Sequence, residues 1–363
     1  MSLQDGVLDD LTLLLPPLLR SLEALGFIAR NLDPARYGAV LEVVGAPEDA
    51  LRLVRPGFEA WPAELSAMRE RLEAARDWVL EAFDGLRSAP DEADGLRAAF
   101  RALRLLPRAQ EALYPLATGL PPVSRFFLEP SRRDDAALQT RLSEGEPRDD
   151  AGLIQIDDPS SGRGGFSMYV PEDYTPERQW PLVMALHGGS GTGRAFLWSW
   201  LSDARTLGAI LVAPTSVGAT WALSGPDGDT PNLSRILDHV RGGWSIDPTR
   251  LLLTGMSDGG TFTYVSGLEA TSPFTHLAPV SASFHPMIAQ MADPDRMRDL
   301  PIYLVHGVLD WMFSIDVARG AHEALKAAGA DVTYREIDDL SHAYPREVNP
   351  AILDWLGRHG GEA

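Results

Sequence analysis

Cysteine is absent from the 363 residues. That excludes disulfides, thiol nucleophiles and Cys-ligated zinc, and it suits a cytosolic protein. Lysine is nearly absent: Lys326 is the only one, and arginine carries the remaining basic charge. Coding bias is the first reading of that skew, a salt-adapted surface the second. Positive charge is scarce overall, with 32 basic against 51 acidic residues and a net charge of −19. Such a surface repels nucleic acid and anionic membranes, so neither is expected as a partner. No unbroken apolar run of eighteen residues exists, so no membrane span is expected. The apolar stretch 11–19 is short, holds two prolines and lacks a basic leader, so it does not read as a signal peptide. No HExxH helix or EF-hand spacing occurs. Ser190-Gly191-Thr192-Gly193 lacks the Gly-Lys-Ser/Thr of a P-loop and the spacing of a dinucleotide fingerprint. No metal and no cofactor is therefore expected.

What is present suggests two domains. The length exceeds one small core, and 45% hydrophobic residues can fill a sizeable interior. Residues 1–130 read as a helical bundle. Leu8, Leu11, Leu15, Leu18, Leu22 and Leu25 recur at three and four, forming one apolar face. Pro16-Pro17 interrupts it, which predicts a kink or two short helices. Asn31-Leu32-Asp33-Pro34 predicts a turn with a new helix from Pro34. The clearest helix spans 61–86, on the stripe Trp61, Leu65, Met68, Leu72, Ala75, Val79, Ala82 and Leu86. A second stripe, Ala93, Leu96, Phe100, Leu103 and Leu106, predicts an antiparallel partner. Core packing and shielding would account for this bundle. A lid or a surface for a homo-oligomer is the alternative. Residues 130–150 are charged and broken by Pro130, Gly145 and Pro147, and 131–150 reads as a solvated connector.

From 151 to 363 short apolar runs alternate with helical segments. Strands are expected at 153–156, 166–170, 181–186, 209–213, 251–254, 277–280, 301–305 and 332–337, the first two as a hairpin across 160–164. Helices are expected at 232–240 and 318–328. This alternation predicts an α/β domain with a mostly parallel sheet and helices on both faces, preceded by the all-helical domain. Ligands in such sheets sit at the carboxyl ends of the strands.

Four loops at those ends carry reactive residue types. Leu251-Leu252-Leu253-Thr254 runs into Gly255-Met256-Ser257-Asp258-Gly259, a Gly-x-Ser-x-Gly turn that could hold a serine at its apex. Taken alone, this is also what an ordinary Gly/Ser turn looks like. The other three are His187-Gly188-Gly189-Ser190-Gly191, His306-Gly307-Val308-Leu309-Asp310, and Ser341-His342 after residues 332–337. Serine, aspartate and histidine thus follow three different strands in chain order.

With these motifs the sequence over roughly 151–360 resembles the α/β-hydrolase family. Within it the chain is most similar to serine esterases with a His-Gly oxyanion loop, including the carboxylesterase/phospholipase and polyester-depolymerase-like groups. The resemblance implies a carboxylic ester hydrolase acting on a small-molecule ester through an acyl-serine intermediate. Ser257 would be the nucleophile, His342 its base and Asp310 the residue that orients the imidazole. The backbone N–H groups of Gly189 and Asp258 would receive the oxyanion. Acyl transfer, or cleavage of thioesters or amides, would use the same residues. A catalytically silent fold serving as an interaction module is the alternative of another class.

Rivals for each role are present. Asp316 competes with Asp310 but sits where a helix start needs capping. Asp338 and Asp339 lie too close to His342 in sequence and read as loop acids. His187 and His306 precede glycines and read as loop supports, His285 as a loop residue and His239 as a helix residue. Trp198, Trp200, Trp221, Phe284, Trp311, Phe313 and Tyr344 fall in or near rim loops. Of these Trp221, Phe284, Trp311 and Tyr344 are the candidates for an apolar pocket, each with ordinary core packing as its alternative. The loop 216–231, with Gly218, Gly225, Pro226 and Gly228, reads as a mobile rim segment that helps set specificity.

Overall fold

The computed structural model describes residues 3–145, 148–156 and 163–359. Two compact units result, Met1–Asp135 and Ala136–Ala363. Each is best understood by itself.

The first unit is helical throughout. Its opening helix, Leu3–Arg30, runs through Pro16 and Pro17 as one element, without the interruption expected there. Each proline withdraws one backbone donor. Leu14, Leu15 and Leu18 flank the pair and are buried, as are Leu22, Leu25 and Ile28, so packing outweighs the local cost. Leu8 stays exposed, and the buried face begins one turn later than the stripe suggests. Although it is no unbroken apolar run, the stretch Gly6–Arg30 is long and apolar enough to cross a membrane by length and composition, against the expectation of no such segment. Here Leu14, Leu15, Leu18, Leu22 and Leu25 of the stretch are part of this unit's core.

The helix expected from Pro34 begins at Tyr37. Asp33 Oδ1 accepts the N–H groups of Ala35 (2.8 Å) and Arg36 (3.2 Å) and holds the intervening turn. The long helix is Ser66–Ser88, because Pro62 breaks the start into two short 3-10 turns. Its buried residues are Leu72, Ala75, Val79, Ala82, Phe83 and Leu86. Trp61 sits before it, edge-on to Phe58 at 4.9 Å, with its indole N–H donating to Asp10 Oδ2 at 2.8 Å. The antiparallel partner is split into Gly95–Leu103 and Leu105–Leu113. It buries Ala98, Ala99 and Ala102 rather than the expected Phe100, which is exposed. Proximity explains the choice: a Cβ on Gly85 would stand 2.9 Å from that of Ala102, so only small residues fit the crossing.

The stretch 131–150 is not a plain connector. The second unit begins inside it with the helix Ala136–Ser143, which buries Leu138 and Leu142 one turn apart. Pro147 and the turn at 160–162 lie outside the described residues.

The second unit holds an eight-stranded sheet: β1 (Gly152–Ile156), β2 (Phe166–Val170), β3 (Trp180–Leu186), β4 (Ile210–Pro214), β5 (Ile246–Met256), β6 (His276–Val280), β7 (Pro301–Gly307) and β8 (Asp331–Ile337). Their order is β1-β2-β4-β3-β5-β6-β7-β8. The pairs β1/β2 and β2/β4 are antiparallel, and the remaining neighbours are parallel. Every position of β3 from Leu182 to Leu186 and of β5 from Leu251 to Gly255 is buried. Successive side chains point to opposite faces, so continuous burial means that both faces are covered. This is the α/β-hydrolase arrangement, with the helical unit ahead of it. Helices Asp229–Gly243 and Ile315–Ala327 correspond to the two expected ones, the first longer at both ends.

Sequential order breaks at β3, which lies between β4 and β5. The chain leaving β3 therefore emerges beside the chain leaving β5. A crevice at the carboxyl ends of two neighbouring strands is where such sheets bind ligands.

In the first unit Leu18 has no exposed surface. Leu18→Ala should cost about 2–5 kcal/mol, read as a lower midpoint of chemical unfolding for the full chain.

Candidate functional site

The chain leaves β5 at Met256, turns at Ser257 and enters the helix Asp258–Gly267 at once. Ser257 has φ 55° and ψ −119°, a left-handed backbone that costs a non-glycine residue energy. Neither flanking glycine has positive φ; they are there for space. A Cβ on Gly255 would stand 2.5 Å from the carbonyl oxygen of Gly259, and one on Gly259 would stand 2.5 Å from that of His187. The turn is thus wedged between its own helix and the chain leaving β3. Ser257 N–H donates to Val280 O at 3.0 Å, which ties it to β6 as well.

Three residues from three strand ends converge here. His342 Nε2 lies 3.0 Å from Ser257 Oγ and accepts its hydroxyl proton, while His342 Nδ1–H donates to Asp310 Oδ2 at 2.8 Å. Ser257, Asp310 and His342 are all buried. Asp310 is held from the other side too. Its Oδ1 accepts the N–H groups of Met312 (2.9 Å) and Phe313 (2.8 Å). Burial works to raise the Asp310 carboxyl. The bonds from His342 and from the Phe313 N–H, with the neighbouring imidazoles, outweigh it and hold the group below the usual carboxylate range.

His306 supports this acid. Its Nε2–H donates to Phe313 O at 2.8 Å and lies 3.4 Å from Asp310 Oδ2. Burial pushes its pKa down, so the ring is neutral, and no hydrogen bond to Nδ1 occurs among the described residues. His187 supports the loop after β3. Its Nδ1–H donates to Gly188 O at 2.7 Å, and its Nε2 accepts the N–H of Ser216 at 3.1 Å. Desolvation lowers its pKa from 6.5 to about 4, against the bond to Gly188 O, with Arg163 adding a smaller push downward.

Gly188 lies against Ser257: a Cβ there would meet that of the serine at 3.6 Å. Gly189 faces Asp258, whose Oδ2 would be 2.8 Å from a Cβ on the glycine. Asp258 is the first residue of its helix, where backbone donors have no partner one turn back. Among the described residues no hydrogen bond takes up the Gly189 or Asp258 N–H.

The other candidates fall elsewhere. Asp316 is exposed beside Arg319 at 3.3 Å, and Ser314 Oγ caps its N–H at 3.3 Å. Asp338 and Asp339 are exposed. His285 is exposed and accepts Met287 N–H at 3.2 Å as a helix cap, while exposed His239 lies edge-on to Phe166. Trp198 and Trp200 are core residues. Trp221, expected as pocket lining, is 2% exposed. It stacks on Phe262 at 5.4 Å and donates its indole N–H to His187 O at 2.7 Å, so it props the loop from below. Phe284 is half-buried, edge-on to Tyr264 at 4.9 Å. Tyr344 donates to Asn349 Oδ1 at 2.8 Å and packs its ring edge-on to Phe196. Trp311 (46% exposed) and Phe313 present edges to the His342 ring at 6.2 and 5.4 Å, which makes them the aromatics nearest the reactive groups.

Two contributors carry no sequence signal. Asp229, 2% exposed, accepts the N–H groups of Val217 (2.7 Å) and Ala222 (2.8 Å), pinning the first half of a segment expected to be mobile. Thr220 in that segment donates its hydroxyl to Asp258 Oδ2 at 2.5 Å. An Asp-Gly-Asp run and a lone threonine look like any loop. Only the fold gives them partners.

Two outcomes follow from this packing. Gly259→Ala should destabilise the fold by roughly 1–3 kcal/mol or more, measured as the drop in thermal midpoint. Between pH 6.5 and about 4 an unfolded chain binds a proton at His187 that the folded chain does not. Stability should therefore rise with pH across that window and be lost on acidification, by up to about 3 kcal/mol from this group. His187→Gln should flatten the dependence in melts taken from pH 7 to pH 4. Asp310, whose value is lowered, adds a second loss only further down, as pH falls below the ordinary carboxylate range.

Residues 230–359 match the Phospholipase/Carboxylesterase family, a segment that holds Ser257, Asp310 and His342 but stops short of the loop after β3. A bifunctional acetylxylan esterase/xylanase of Neocallimastix patriciarum is 30% identical over 202 residues, covering 52% of this chain and 27% of that protein. An acyl-protein thioesterase 1 of Gibberella zeae is 30% identical over 108 residues, 29% of this chain and 46% of that one. The chain thus spans less than half the length of these relatives. A solved ferulic acid esterase overlays 58% of this chain and 97% of its own, with a TM-score of 0.48 and 18% identity. Strand order and the turn after β5 give the second unit the α/β-hydrolase fold, and its residues 230–359 are similar to the Phospholipase/Carboxylesterase family.

Proposed function

We propose that the protein is a serine hydrolase that cleaves carboxylic esters through an acyl-serine intermediate. The observation that carries this reading is the relay of 3.0 and 2.8 Å from Ser257 through His342 to Asp310. A serine hydroxyl is a weak nucleophile at neutral pH and needs a base in hydrogen-bond reach. His342 takes the Ser257 proton as Oγ attacks the ester carbonyl, then returns it to the departing alcohol. Water repeats the sequence on the acyl-serine: His342 removes its proton, the acid leaves, and Ser257 is restored. Asp310 keeps the Nδ1–H tautomer in place and stabilises the imidazolium. Its four-way restraint by His342, Met312, Phe313 and His306 supports that role.

The carbonyl oxygen gains negative charge during attack. The Gly189 and Asp258 N–H groups are the donors this reading assigns to it, and each such donor contributes about 2.7–4 kcal/mol in serine hydrolases. Strain at Ser257 fits the same role, since it presents the nucleophile at the start of a helix.

Relatives named as an acetylxylan esterase/xylanase and an acyl-protein thioesterase favour ester and thioester chemistry. Thioester cleavage is the second reading, because the same attack and the same oxyanion serve both. Wild type should label with a fluorophosphonate and hydrolyse short p-nitrophenyl esters. Ser257→Ala should lose labelling and roughly ten-thousand-fold or more of the turnover. A mutant that keeps its activity, or a wild type inert to both reagents, would overturn the assignment.

A further inference from the structure

Asp258 contributes more than a backbone donor. Its carboxylate is turned toward Gly189, with Oδ2 2.8 Å from where a Cβ on that glycine would stand. The side chain is half-buried, and among the described residues it forms no ion pair. Arg163, a nearby cation, gives its guanidinium to Ser216 Oγ (2.7 Å), Ser216 O (3.1 Å) and Gly191 O (3.2 Å). Nor is the carboxylate free to swing away. Thr220 Oγ–H holds Oδ2 at 2.5 Å, and Thr220 itself lies between Val217 and Ala222, whose N–H groups are pinned by the buried carboxylate of Asp229. Ser216, one residue before that clamp, is tied to His187. A negative charge is therefore fixed beside the two N–H groups assigned to the oxyanion.

We propose that Asp258 is a specificity-determining residue that biases the site toward uncharged or cationic esters and against esters bearing a negative charge on the acyl portion. The inference rests on Ser257 being the nucleophile. A like charge brought into a partly dehydrated cleft is repelled far more strongly than in water. An acid in the first turn of a helix also interacts favourably with the free N–H groups there. That helix-end role is satisfied by any orientation of the side chain. It does not require the turn toward Gly189 or the tether to Thr220.

The experiment compares kcat/KM for a matched pair, p-nitrophenyl butyrate and p-nitrophenyl hemisuccinate, in wild type and in Asp258→Asn. Asparagine keeps an oxygen for the Thr220 hydroxyl and removes the charge. The neutral-over-anionic preference should shrink by about tenfold in Asp258→Asn. Raising the salt concentration should narrow the preference more in wild type than in the variant. Thr220→Val, which releases the carboxylate but keeps its charge, should lie between the two. An unchanged preference in Asp258→Asn, with only a lower thermal midpoint, would reduce Asp258 to a helix-end stabiliser and overturn the proposal. If neither ester is cleaved and Ser257 resists fluorophosphonate, it is the reading of the nucleophile that falls, and this inference falls with it.

Discussion

Close packing of backbone at one turn governs the second unit. The strand β5, the helix that follows it and the chain leaving β3 meet where Gly255 and Gly259 leave no room for a Cβ. Side chains are excluded from two positions so that a third, Ser257, can be held with φ 55°. That strain persists only because the surroundings over-determine it. Val280 O fixes the serine's N–H, and the continuous burial of β3 and β5 prevents either strand from moving aside.

The hydrogen-bonded relay from Ser257 through His342 to Asp310 is layered on this wedge by side chains with little freedom of their own. His342 and Asp310 come from the ends of different strands. Each is locked by partners besides the other: Asp310 by two backbone donors and His306, His342 by the edges of Trp311 and Phe313. His187 works in the same manner on the opposite side, neutral because it is buried, with one nitrogen donating and the other accepting. The two supporting imidazoles, His187 and His306, are thus kept uncharged, and this limits the positive charge near Ser257. The acidic residues Asp229, Asp258 and Asp310 instead order loops by accepting N–H and O–H bonds.

Much of this was legible without coordinates. The eight expected runs of the second unit became eight strands, most clearly β3 and the buried end of β5, because parallel strands covered on both faces need uninterrupted apolar sequence. Ser257, Asp310 and His342 could be named because each sits where such a run ends. The helical unit was less readable. Leucine periodicity placed the first helix, but Phe100 looked like core and is exposed, while Ala98, Ala99 and Ala102 are buried. A pattern of large apolar residues does not announce a crossing so close that only alanine and glycine fit.

Local order along the chain specified which segments become strands and helices, the tight turn around Ser257 and the strand-end loops that carry Asp310 and His342. These depend on periodicity and on the space a side chain occupies next to its own neighbours. What each group touches was settled by folding. Trp221 became a buried prop under His187, Asp229 a clamp on a loop that reads as mobile, and Thr220 the tether of a charge, through contacts spanning 34, 12 and 38 positions or fewer along the chain. Such partners meet only when β3, β4 and β5 are brought side by side out of sequential order, and no periodicity in the sequence encodes that meeting.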